Sequence, residues 1–136
     1  MSASGGTPWL RATLLAGFMY LIVGRVTILP SDNVHIWRVV AWLMSVVVFV
    51  AHIGYEHVKL RNAPRNIAIH VAIAVAIGAF GLAIAGMIHS VTLGQFRPAW
   101  FVALVAWPAV TAIPAFFAAL VVAVILRRLS QNPDTK

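Results

Sequence analysis

The chain is a series of four long apolar runs separated by short polar breaks, and this limits its possible folds more than any other feature. The runs lie near residues 10–29, 34–58, 66–91 and 98–126, each about 20 residues or longer. As helices rising about 1.5 Å per residue, such runs cross the ~30 Å hydrocarbon layer of a bilayer. Their apolar residues follow one another without the period of 2 or 3.6 that marks a half-buried strand or helix. Composition agrees: of 136 residues, 62% are hydrophobic and 10% charged, against about 25% charged in a soluble domain. Water cannot solvate such a surface, whereas lipid can.

The expected fold is therefore an all-α integral membrane protein, a four-helix transmembrane bundle over residues 9–126. The first run is read as a retained helix, because it is long for a signal peptide and lacks a small-x-small cleavage site. Pro30 stops it, and Ser31, Asp32 and Asn33 supply a turn rich in capping residues before Val34. Lys59 to Asn62, followed by Pro64 in the first turn of a new helix, predicts a tight antiparallel hairpin. Thr92-Leu93-Gly94-Gln95 forms the last turn, and Pro108 and Pro114 predict a break in the fourth helix. Residues 1–8 (MSASGGTP) are expected to be a disordered cytoplasmic leader and residues 127–136 (RRLSQNPDTK) a cytoplasmic polar tail.

The basic residues set the expected orientation. Four spans put both termini and the second loop on one side, with Arg11, Lys59, Arg61, Arg65, Arg127, Arg128 and Lys136, against Arg25, Arg38 and Arg97 on the other. That bias predicts cytoplasmic termini, in a bacterial inner membrane. Because most basic residues flank apolar runs, the +7 formal charge points to lipid headgroups as partner and not to nucleic acid. Trp9, Trp37, Trp42 and Trp100 lie near helix ends, as an interfacial aromatic belt requires. The absence of cysteine excludes disulfide exchange, thiolate metal sites and thiol nucleophiles.

Three stripes are candidates for helix packing. Thr13, Gly17, Tyr20, Gly24 and Thr27 share one face of the first helix; Ala74, Gly78, Gly81 and Ala85 form small-xxx-small steps on the third; Trp100, Trp107, Thr111, Pro114 and Ala118 share a face of the fourth.

Chemistry is concentrated on the second helix. Arg38, Ser45, His52 and Lys59 recur at heptad spacing, and Glu56 lies one turn from His52. Ionisable groups inside a membrane mark a functional site by default, so Arg38, Ser45, His52 and Glu56, joined by His70 across the hairpin, form the candidate polar site. Positions equidistant from the hairpin lie at similar depth: His52 beside His70, His35 beside His89, and Glu56 beside Arg65 and Asn66.

Three uses of these residues are open. Glu56 pairs with Arg65 or Lys59 as a structural anchor; or Glu56 and the histidines form a proton or transport pathway; or a cofactor is held. For haem the axial ligands would be His52 and His70, or His35 and His89, although adjacent helices ~8 to 10 Å apart leave little room for it. For a divalent metal the ligands would be His52, Glu56 and His70, a two-histidine, one-carboxylate set. No nucleophile–base pair or catalytic motif is present, so the expected role is non-enzymatic: a bundle subunit or accessory factor, alone with lipid, with other membrane subunits or as a homo-oligomer. Small multidrug transporters share the length and span count, but their essential glutamate lies in the first helix, where this chain has Gly17, Tyr20 and Gly24. The residue pattern of the fluoride channels is missing too, and no family is assigned.

Overall fold

The computed structural model of the chain describes residues 8–26, 33–95 and 97–131. Among them there are four helices and no strand: α1 (Pro8–Val26), α2 (Val34–Val58), α3 (Pro64–Thr92) and α4 (Ala99–Gln131). Three of them, α2 from His35 onward, α3 and α4, are long and apolar enough to cross a membrane. The expected leader (apart from Pro8), the end of the first run with Thr27 and Pro30, and the turn at Ser31 and Asp32 lie outside the described residues. The fourth helix runs on to Gln131, so the first residues of the expected polar tail, Arg127 to Gln131, continue it as helix, and the rest of that tail lies outside the described residues. Both prolines are accommodated inside this helix, beside Thr111, whose hydroxyl donates to the Trp107 and Pro108 carbonyls.

The long apolar helix α3 is the centre of the bundle, packed along α1 on one side and α4 on the other. Its contact with α1 is set by small residues. A Cβ at Gly17 would lie 2.9 Å from Ile77 Cγ2, one at Gly78 2.5 Å from Tyr20 Cβ, and one at Gly81 2.8 Å from Leu21 Cδ1. Thr13 and Ala74 are completely buried. The predicted stripes of α1 and α3 thus face each other, and their small residues allow the close approach of the two helices.

The predicted face of α4 is not the one that packs. Trp107 is 55% exposed, Pro114 and Ala118 are exposed, and contact with α3 runs instead through Phe116, Ala119, Leu120, Ala123 and Leu126. Of the predicted set, Trp100 lies against α3, its ring 3.0 Å from where a Cβ on Gly86 would be. The cause is physical: α4 is apolar on every side, so hydrophobicity cannot tell a lipid-facing stripe from a packed one, and the completely buried Ala119 and Ala123 mark the true contact by their size.

The α2–α3 turn is tight. Lys59 and Leu60 N–H both donate to the Tyr55 carbonyl, Asn62 N–H donates to that of Glu56, and Arg61 adopts a left-handed φ of 50°. The helices it joins nevertheless touch little beyond their ends, because only the C-terminal half of α2 reaches the core, where Phe49 and Ile53 meet Ile67, Val71, Ala119 and Ala123. From His35 to Val40 every described side chain of α2 is exposed.

Candidate functional site

The turn after α2 brings the end of that helix against the first turns of α3, and Glu56 lies at this junction. It is completely buried. An ionised carboxylate can only accept hydrogen bonds, and two donors reach it. Asn62 Nδ2 lies 2.5 Å from Oε2, and His70 Nδ1 lies 2.9 Å from each carboxylate oxygen. His52 Nε2, one turn back along α2, stands 3.6 Å from Oε1, too far for a hydrogen bond but close enough for electrostatic contact. The outer face of His70 is covered by Trp9 of α1, stacked at a centroid distance of 4.5 Å and an interplanar angle of 9°. Three helices and one turn residue therefore enclose one carboxylate.

Of the residues singled out by sequence, His52, Glu56 and His70 are brought together. Arg38 is exposed in the unpacked half of α2, and Ser45 donates to the Ala41 carbonyl of its own helix at 2.8 Å. The expected anchor is different as well. Arg65 and Lys59 are exposed, and Glu56 takes Asn62 and His70 as partners, because it points inward while those two cations stand on the outer side of their helix ends.

The metal candidates His52, Glu56 and His70 meet as partners of one another, with His70 Nδ1 directed at the carboxylate and not at a shared centre. Among the described residues no group of three His, Cys, Asp or Glu side chains is placed to hold a metal ion. His35 and His89, the other haem candidates, are both exposed. Trp9 and Asn62 were not anticipated as site residues, since one reads as part of an aromatic belt and the other as part of a turn.

His52 has a second environment. Neither of its ring nitrogens makes a hydrogen bond, although its side chain is only 2% exposed. The ring forms part of the wall of a groove of about 610 Å³ between α1 and α2. Ala12, Leu15, Ala16 and Met19 of α1 and Val48 and Ala51 of α2 make the rest of the wall apolar, while Arg11 and Tyr55, both exposed, stand at its edge. From Pro8 to Met19 the groove follows α1 for about 16 Å. It thus offers an apolar channel, a buried imidazole with free hydrogen-bonding capacity and a cationic rim.

Comparison of the chain with known protein families, with curated proteins and with solved structures finds no match to any of them, so its function must be inferred from its own geometry.

Proposed function

We propose that the chain is a four-span protein of a bacterial inner membrane with both termini cytoplasmic, a non-enzymatic bundle that binds an amphiphilic small molecule from the bilayer in the groove between α1 and α2. The support is His52. A buried polar group that makes no hydrogen bond is costly, about 1 to 3 kcal/mol, and a ligand whose polar end meets the imidazole removes that cost. The apolar walls then take its tail, as in other small-molecule sites where a few polar groups orient a mostly apolar ligand. Glu56, held by Asn62 and His70, stands behind His52 at 3.6 Å.

A fourth span is supported by the 19 residues of α1, about 28 Å as a helix. Orientation is supported by the Lys/Arg bias. It is tested by single cysteines, which the native chain lacks. A thiol introduced by Ser130→Cys should react with a membrane-impermeant reagent in inverted vesicles and stay unlabelled in intact spheroplasts. Labelling from the outer side would reverse the topology.

Ligand binding is tested by purifying the protein in mild detergent, extracting it with organic solvent and identifying what co-purifies by mass spectrometry. The wild type should retain an amphiphile. Ala12→Phe, which fills the groove, should lose it, and His52→Ala should weaken retention about tenfold, the effect of one buried hydrogen bond. An identical extract from all three proteins would overturn the assignment.

A second reading follows from the placing of Glu56 between His52, 3.6 Å away, and His70, to which it is hydrogen-bonded. If the His52–Glu56 gap closes, the three groups can hand a proton between α2 and α3, which makes the site a relay in a transport pathway. Glu56→Gln would then abolish a cellular phenotype that His52→Ala merely weakens.

A further inference from the structure

We infer that a second site, apart from the α1–α2 groove, binds a phosphate-bearing anion at the end of the bundle where the α2–α3 turn meets the last turns of α4. A pocket of about 410 Å³ opens there, lined by His57, Arg61, Asn62, Ala63, Pro64 and Arg127. Its three cationic or titratable side chains come from three separate places in the chain: the last turn of α2, the turn itself, and α4.

Each is positioned by local structure. Arg61 sits at the left-handed position of the turn, φ 50°. Arg127 is carried on the helical extension of α4 beyond the apolar run. His57 is pinned to α4: Ser130 Oγ gives its proton to the Leu126 carbonyl at 2.7 Å, so its oxygen accepts from His57 Nε2–H at 3.2 Å. With the proton on Nε2, His57 Nδ1 is an acceptor, so the ring forms wall and leaves anion binding to the two guanidiniums.

The pocket has no anion of its own among the described residues. Glu56 is the only acidic side chain described, and its oxygens are occupied by Asn62 and His70. Neither Arg61 nor Arg127 forms an ion pair with it; its charged contacts are to His52 and His70. Two guanidiniums around one concavity, without an ion pair among the described residues, are a match for phosphate oxygens, which guanidinium binds through two parallel N–H···O bonds. The N-terminal end of α3, with Pro64 in its first turn, adds partial positive charge at the wall. Basic pockets between membrane helices near a surface take phospholipid headgroups in this way, and a soluble phosphate compound has the same chemistry.

The test uses the full-length protein in neutral detergent, with short-chain phosphatidylglycerol, phosphatidylcholine of the same chain length and inorganic phosphate as probes, and binding read by native mass spectrometry and thermal shift. Phosphatidylglycerol should bind in preference to phosphatidylcholine. Arg127→Gln and Arg61→Gln should each weaken it about tenfold, the effect of losing one charge-assisted contact, and the double variant should weaken it further. Arg25→Gln and Arg97→Gln, outside the pocket, should leave it unchanged. Because Arg127 is exposed on a helix surface, its replacement leaves the fold intact, which an unchanged unfolding temperature without probe verifies.

If millimolar inorganic phosphate displaces the lipid, the natural ligand is a soluble phosphate compound; if it does not, the ligand is a headgroup. Equal binding of both lipids with no response to phosphate, or full affinity in the double variant, would overturn the site.

Discussion

Glu56→Ala is expected to destabilise the bundle by about 2 to 4 kcal/mol, because it leaves two part-buried hydrogen-bond donors without their acceptor at about 1 to 3 kcal/mol each. The carboxylate is completely buried and is the common acceptor for Asn62 Nδ2 and His70 Nδ1. Without it, both part-buried donors lose their acceptor, and Trp9 stacks on a ring that no carboxylate orients. The Asn62 backbone N–H still reaches the carbonyl of residue 56, so the turn itself should survive and the loss should come from the side-chain network.

Glu56→Gln separates charge from shape. Its amide keeps one oxygen, whose two lone pairs can still accept from Asn62 and His70, but it loses the charge and the second acceptor that His70 also reaches, so it should fall between wild type and alanine. Thermal unfolding in detergent of wild type, Glu56→Gln and Glu56→Ala measures the series. A loss below about 1 kcal/mol for alanine, the range of exposed ion pairs, would mean that the network is solvated and the carboxylate is only a surface anchor.

The core of this network was legible in the sequence because ionisable residues are rare in apolar runs. His52 and Glu56 stand out on α2 by type and spacing alone, and the hairpin places His70 at their depth. What was not legible depends on geometry that residue type does not encode. Arg38 and Ser45 continue the same heptad pattern, but the half of α2 that carries Arg38 leaves the bundle, and a period in sequence says nothing about where packing stops. Trp9 fits the aromatic-belt pattern by position, yet its ring covers His70.

Helix faces were legible in proportion to how small their residues are. The stripes of α1 and α3 contain glycine, and they meet. On α4 the one polar residue within the apolar run, Thr111, bonds its own helix and does not mark a face, so the completely buried Ala119 and Ala123 differ from their lipid-facing neighbours by size alone.

The stripe on α3 therefore predicts a large effect from the smallest possible change. In a helix, Gly→Ala is worth up to about 1 kcal/mol in favour of alanine, since it removes backbone freedom from the unfolded chain. Gly54, where an added Cβ meets nothing within 4 Å, should show that gain. Gly78 should show the opposite sign. Its new methyl would lie 2.5 Å from Tyr20 Cβ and 3.2 Å from the Gly17 carbonyl oxygen, and neither is the end of a flexible side chain. Relief requires α1 to move away from α3 as a body, which opens the contacts at Gly17 and Gly81 as well and carries Trp9 off His70. Overpacking of this kind costs about 1 to 3 kcal/mol, and the loss of close packing along the stripe adds to it. Gly78→Ala should thus lower the unfolding temperature in detergent while Gly54→Ala raises it. Because α1 also forms one wall of the groove beside His52, Gly78→Ala should weaken amphiphile retention although it contacts neither ligand nor imidazole. Equal stabilisation by both substitutions would show that α1 is not seated on the α3 stripe, and with that the wall of the proposed site would be lost.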